Sequence, residues 1–184
     1  QQRTRLDLFE PHLCSRRQEK KNSVISNNVT RLLDSKKIKY TAYELPEEKL
    51  GAVETALTLN IEPFLVYKTI VIVRQKGKPL LCVIPGDRIV DLKAAAAFVG
   101  EKKVSIPTQN EAEALTGLLT GGISPLALIN KGFTTVIDQS ALEQPRIYIS
   151  GGQRGLILQI DPHDLQKLTN ARFSQVSSQK ATNN

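Results

Sequence analysis

Lys68-Thr69-Ile70-Val71-Ile72-Val73-Arg74, then Gln75-Lys76-Gly77-Lys78-Pro79, then Leu80-Leu81-Cys82-Val83-Ile84 is the stretch whose reading decides the fold. β-Branched residues crowd the first run and apolar residues fill the last. The linker between them carries both Gly and Pro, so the segment reads as a β-hairpin. A second hairpin follows the same logic over residues 146–150 and 156–160, turning through Gly151-Gly152-Gln153-Arg154-Gly155. Shorter strands are expected over 38–44, near Val104 and over 134–137.

Helices are expected between these strands. Val29, Leu32 and Leu33 have helical spacing within 28–36, and another helix is read over 53–59. Asp91 can cap a helix running through Val99 and stopped by Gly100. Thr108-Gln109-Asn110-Glu111 has the spacing of a capping box. Asp161-Pro162 offers an N-cap followed by proline at the first helical position, opening a last helix that runs to about Ala171. No internal repeat is found. The order predicts an α+β fold, with helices flanking a mixed, mostly antiparallel sheet.

The chain of 184 residues, 40% apolar, is the size of one domain with its own core. Residues 1–22 have few apolar positions and six Lys/Arg against three acids, and they read as a flexible tail. The domain is expected over 23–176, with residues 177–184 frayed. The densest apolar run, from Ala94 to Val99, is far short of a membrane helix, and no secretory pattern opens the chain. A cytoplasmic location with no membrane association is the expectation. The formal charge of +7 is compatible with a polyanionic partner but does not identify one. Cys14 and Cys82 are too differently placed to form a metal-type pair, and Cys82, inside an apolar strand, reads as a small core residue.

Familiar catalytic patterns are missing. His12 falls in the tail and His163 in the first turn of the last helix. There is no Gly-x-Ser-x-Gly elbow, His-Glu-x-x-His helix or Cys-x-x-Cys pair, and Gly121-Gly122 is not followed by the Gly-Lys-Ser/Thr of a phosphate loop. Neither a metal nor a cofactor is predicted. Two features remain. Lys68 starts an otherwise apolar strand, either as a strand-end lysine whose stem covers core or as a cation at a pocket mouth able to hold phosphate. In Thr120-Gly121-Gly122-Ile123-Ser124-Pro125, two glycines let backbone approach a ligand and a proline stiffens the exit. Its N–H groups could meet a carbonyl oxygen gaining charge, or the loop could be an ordinary turn. Ser150-Gly151-Gly152 and Arg154 are ambiguous in the same way.

Taken together these segments resemble the YbaK/ProX family of aminoacyl-tRNA deacylases, most of all its bacterial Cys-tRNA(Pro) branch. The matching pieces are Val66-Tyr67-Lys68-Thr69, Leu92-Lys93 with its alanine-rich helix, and Gly100-Glu101-Lys102-Lys103-Val104. They continue with Thr116-Gly117, Gly121-Gly122-Ile123-Ser124-Pro125-Leu126, Ile137-Asp138 and the run from Ile147 through Arg154 to Leu156, then Asp164-Leu165 and Ala171-Arg172-Phe173. Each motif is short; their order over residues 29–176 is what makes the likeness specific.

The resemblance implies a curved mixed sheet with a pocket for the acylated 3′ CCA end of a mischarged tRNA. It places the family's essential lysine on Lys68 and its Gly-x-x-x-Pro loop on residues 121–125, with Gly121 and Pro125 as its ends and Gly122, Ile123 and Ser124 between. Tyr43, Thr69 and Ser150 fall on pocket positions, near Gly151, Gly152 and Arg154. Two positions depart from close relatives: Leu50-Gly51 stands for Phe-Gly, and Ile157 stands where an aspartate is common. The implied activity is release of cysteine from Cys-tRNA(Pro), the cysteine thiol attacking its own ester. The change at Ile157 keeps Ala-tRNA(Pro) or another small mischarged ester open as the substrate. A non-catalytic module binding tRNA or a synthetase is the other open reading. In the family, tRNA selectivity comes from the elongation machinery or from bound prolyl-tRNA synthetase, which the resemblance implies as a partner.

Overall fold

The computed structural model describes residues 25–180. The expected N-terminal tail therefore lies outside the described residues. The elements in chain order are α1 (Asn28–Ser35), β1 (Tyr40–Glu44), α2 (Ala52–Leu59), β2 (Tyr67–Ile72), β3 (Leu80–Pro85), β4 (Arg88–Val90), α3 (Leu92–Phe98), α4 (Gln109–Thr116), β5 (Thr134–Asp138), β6 (Ile147–Ser150), β7 (Leu156–Ile160), α5 (Pro162–Thr169), β8 (Arg172–Ser174) and β9 (Ser177–Gln179).

Both predicted hairpins are present as antiparallel ladders, β2 with β3 and β6 with β7. β1 extends the second hairpin, giving the order β1-β7-β6, while β5 and β8 add in parallel beyond β3, giving β2-β3-β5-β8. A single parallel bridge between Val66 and Tyr148 joins the edge strands β2 and β6 of the two sheets. The result is the mixed α/β architecture expected. β3 sits between two partners and is buried along its whole length, which explains why its sequence is a continuous apolar run rather than an alternating one. Its residues alternate between the two faces of the sheet, with Leu81 in a separate cluster with Val71, Ile123 and Leu128. Val83 joins Ile137, Ile149, Leu156 and Leu158 on one face, while Cys82 and Ile84 join Leu80, Val136 and Ala95 on the other.

The caps that mark the helices in the sequence form as expected. Asp91 accepts from the Lys93 and Ala94 amides. Thr108 and Glu111 make the reciprocal bonds of a capping box, and Asp161 accepts from the His163 amide. At α1 the cap is Asn27, whose Oδ1 accepts from the Val29 and Thr30 amides. The same side chain donates to the Gly151 carbonyl and to Gln153 Oε1, tying α1 to the β6–β7 turn.

Three expectations need correction. β2 ends at Ile72, not at Arg74. Val73 leaves the ladder to exchange backbone hydrogen bonds with Ser105, and Arg74 pairs with Glu101 at 3.1 Å. The strand foreseen near Val104 is this one isolated bridge. The C-terminal segment is also not frayed at residues 177–179: Ser177 is buried, and β9 pairs antiparallel with β4. Tertiary anchoring overrides its polar composition. The Val176 amide donates to the buried Asp138 carboxylate, and its carbonyl accepts from the Asp91 amide.

Candidate active site

Beyond the Val66–Tyr148 bridge, β2 and β6 run in the same direction without forming a ladder, and a cleft of about 210 Å³ opens between them. The β2 edge from Val66 to Ile70 makes one wall, with Lys68 and Thr69 in it. Ser150 from β6 and Ile157 from β7 make the facing wall. The residues around the start of α2 (Leu50, Gly51, Ala52, Thr55) and the loop residues Thr120, Gly121 and Ile123 complete the lining.

Lys68 is half-buried, and its ammonium donates to the Gly86 carbonyl at 3.1 Å. Burial holds its pKa below the ordinary lysine value; the Lys180 charge lowers it further and Asp87 acts in the opposite sense. Among the described residues it is the one cationic side chain in the lining, and none of them brings a carboxylate to the cleft. Thr55, Thr69 and Ser150 bring hydroxyl-bearing side chains to the lining, while the Tyr67 hydroxyl turns away to Ser140 Oγ at 2.8 Å.

The glycine loop is shaped by close approach. Gly121 has φ of 94°, a left-handed backbone that a side chain would strain. A Cβ on Gly122 would lie 2.9 Å from the Arg154 amide nitrogen and from the Gln153 backbone. The loop therefore rests directly on the β6–β7 turn. Charged side chains clamp Thr120 from both sides: its amide donates to Glu113 Oε1 at 2.9 Å, and its carbonyl accepts from Arg154 Nε at 2.8 Å. Its own buried hydroxyl has no hydrogen-bond partner among the described residues.

Of the residues singled out in the sequence, the cleft brings together Leu50, Lys68, Thr69, Gly121, Ile123, Ser150 and Ile157. Gly122, Ser124 and Pro125 lie behind its lining as buried support, with the Leu126 amide donating to Ser124 Oγ and the Leu128 amide to the Pro125 carbonyl. Gly151 is held by Asn27, while Gly152 faces Val29 and Ala127, so neither lines the cleft. Arg154 does not line it either; it braces Thr120. Tyr43 is absent from the lining as well. It stands opposite Ile157 in the β1–β7 register, on the same sheet face as Ser150, with its ring 5.7 Å from that of Tyr148.

Sequence reasoning missed Ala52, Thr55, Val66, Tyr67, Ile70 and Thr120 as lining residues. Thr120 was legible as the neighbour of Gly121; the others look like ordinary helix or strand positions. Cys82 is fully buried in β3, and burial, with Asp138 as a second cause, pushes its pKa up to about 12. It is a neutral core thiol outside the cleft lining, buried one strand behind Ile70. His163 is exposed at the start of α5, beside Asp161.

The aminoacyl-tRNA editing domain model matches residues 26–168. The chain is 34% identical over 163 residues to a protein of Enterococcus faecalis named as a candidate Cys-tRNA(Pro)/Cys-tRNA(Cys) deacylase, EbsC, covering 88% of this chain and 99% of the relative. Among solved structures, the hypothetical protein APE2540 superposes with a TM-score of 0.76 at 25% identity, over 83% of this chain and all of the other. A protein solved as a candidate trans-editing enzyme for prolyl tRNA synthetase superposes at 0.69 and 26% identity, over 84% of this chain and 99% of that one.

Proposed function

Because the chain belongs to the aminoacyl-tRNA editing domain family, we propose that the β2–β6 cleft holds the acylated 3′ end of mischarged Cys-tRNA(Pro) and releases cysteine from it. The protein is an aminoacyl-tRNA deacylase. The observation that carries the reading is the composition of the cleft: one half-buried cation, several hydroxyls and a glycine-bordered backbone, in a volume of about 210 Å³. That volume is below the ~300 Å³ at which drug-sized ligand sites begin. It suits a small aminoacyl group, with the nucleotide at the mouth.

Such a cleft favours a substrate that carries its own nucleophile. In cysteinyl-tRNA the thiol lies one methylene from the α-carbon. Its sulfur bonds to the carbonyl carbon, the ester C–O bond breaks, and the proton ends on the released 3′-hydroxyl. The product is a cyclic thioester that water opens to cysteine. Holding sulfur and carbonyl together can remove roughly 7–11 kcal/mol of barrier without a protein base. Lys68 anchors the nucleotide, the backbone at Gly121 polarises the carbonyl, and Ser150, Thr69 and Leu50 shape the aminoacyl end. Gly122, Ser124, Pro125 and Arg154 keep that backbone in place. Tyr43, Gly151 and Gly152 hold the facing wall. The apolar Ile157, 8% exposed, is the observation behind the alternative reading, a small apolar ester such as Ala-tRNA(Pro), which carries no thiol and would need water as its nucleophile. The site of action is the cytoplasm, and prolyl-tRNA synthetase is the partner that would present the tRNA.

Deacylation of Cys-tRNA(Pro) by wild type and by Lys68→Ala tests the reading. Wild type releases cysteine, and the variant loses on the order of a hundredfold in kcat/KM. Unchanged kinetics would remove the anchor role.

A further inference from the structure

Val176 is held from both sides, its amide on Asp138 Oδ2 at 3.1 Å and its carbonyl on the Asp91 amide at 2.8 Å. From this fixed point β9 pairs with β4 in a register that sets Gln179 opposite Arg88. The ladder ends there, and the next residue on each strand, continued in the same register, is Lys180 and Asp87, with Gly86 beside it. The Gly86 carbonyl is the one that accepts the Lys68 ammonium. The two lysines thus converge on the Gly86–Asp87 turn, which packs against Ala52 and Val66 of the cleft lining, and the Lys180 charge acts on Lys68. The ion pairs within reach among the described residues are Arg74–Glu101 and His163–Asp161, so neither lysine is paired.

Two like charges at one site are unfavourable until an anion lies between them. An exposed lysine at a loose chain end would drift away from Lys68. Here a strand ladder and a buried carboxylate fix the backbone of residues 176–179, which leads directly into Lys180. We propose that Lys180 is a second phosphate-binding residue, which with Lys68 grips the phosphodiester backbone just upstream of the terminal adenosine of a CCA-ended RNA. This rests on the deacylase reading for the identity of the RNA. A lysine ammonium suits a phosphodiester as a point charge, without demanding a fixed orientation. The residue lies beyond the stretch matched by the family model, which ends at 168.

Binding of uncharged tRNA(Pro), measured as a function of salt, tests the grip whether or not the ester is cleaved. Lys180→Ala is expected to weaken binding at least about threefold near 0.1 M salt and to reduce the slope of log K against log salt by about 0.7, the value for one lost single-strand phosphate contact. Lys180→Arg restores both, and Lys76→Ala, at the far end of the β2–β3 hairpin, leaves both at wild-type values. In turnover, Lys180→Ala raises KM for Cys-tRNA(Pro) and matches wild type on cysteinyl-adenosine, which has no phosphate. A wild-type salt slope in Lys180→Ala, or an equal loss on cysteinyl-adenosine, would overturn the proposal. Absence of cysteine release by wild type, with the slope change intact, would instead count against the deacylase reading.

Discussion

Lys68 makes the account sensitive to pH in a definite direction. Its pKa lies below the usual lysine value because burial disfavours the cation. In the window between that lowered pKa and the value of 10.5 for a free lysine, the unfolded chain binds more protons than the folded one, so folding stability contributed by this group rises with pH there. Substrate affinity has the opposite sign, since the grip on phosphate needs the charged form. KM for Cys-tRNA(Pro) should therefore rise at a lower pH than an ordinary lysine would give, and Lys68→Arg, which does not titrate there, should flatten that limb. A pH–KM profile identical in the two proteins would exclude Lys68 as the titrating anchor. Cys82 offers the contrasting case. Its thiol is buried and neutral at ordinary pH, so Cys82→Ala should cost stability, roughly 1 kcal/mol by lost packing, and leave deacylation intact. At this scale Lys68 was visible in the sequence as a charge out of place in an apolar strand. Thr55 was not, because a threonine on a helix carries no mark of what it faces.

At the scale of elements, the Thr120–Gly122 loop and the β6–β7 turn act as one unit. The Gly122→Ala methyl would press on the Arg154 and Gln153 backbone at 2.9 Å, where nothing flexible can yield. A loss of about 1–3 kcal/mol is expected in thermal or urea unfolding, together with weaker catalysis, as Gly121 is displaced. Unaltered stability would mean the loop is less tightly seated. A second element-scale prediction concerns β9. Asp138, 1% exposed, accepts from the Ser140 and Val176 amides, so Asp138→Ala leaves one buried and one partly buried donor without their acceptor. It should cost at least about 2 kcal/mol and raise hydrogen exchange at residues 177–179. Protection there equal to wild type would separate β9 from Asp138. The hairpins and helix caps were readable because their signals are local: β-branched runs around Gly-Pro linkers, and a polar side chain placed two or three residues before a free amide. β8 and β9 were not. Arg172-Phe173-Ser174 and Ser177-Ser178-Gln179 have no periodicity, and only distant partners, β5 and β4, make them strands.

For the molecule as a whole, the cleft exists because two sheets meet at one bridge and then separate. The hairpins and the residues on them could be read from the sequence. Their meeting at Val66 and Tyr148 depends on contacts 82 positions apart, which no local pattern encodes. The family resemblance supplied that link, since it already placed residues 68, 121 and 150 around one pocket. What this geometry asks of its substrate is an internal nucleophile. The most direct measurement compares single-turnover cleavage of Cys-tRNA(Pro) and Ser-tRNA(Pro), where a hydroxyl replaces the thiol on the same tRNA. Cysteine should be released at least about a hundredfold faster. Equal rates for the two esters would show that the protein, and not the substrate's sulfur, supplies the attacking group.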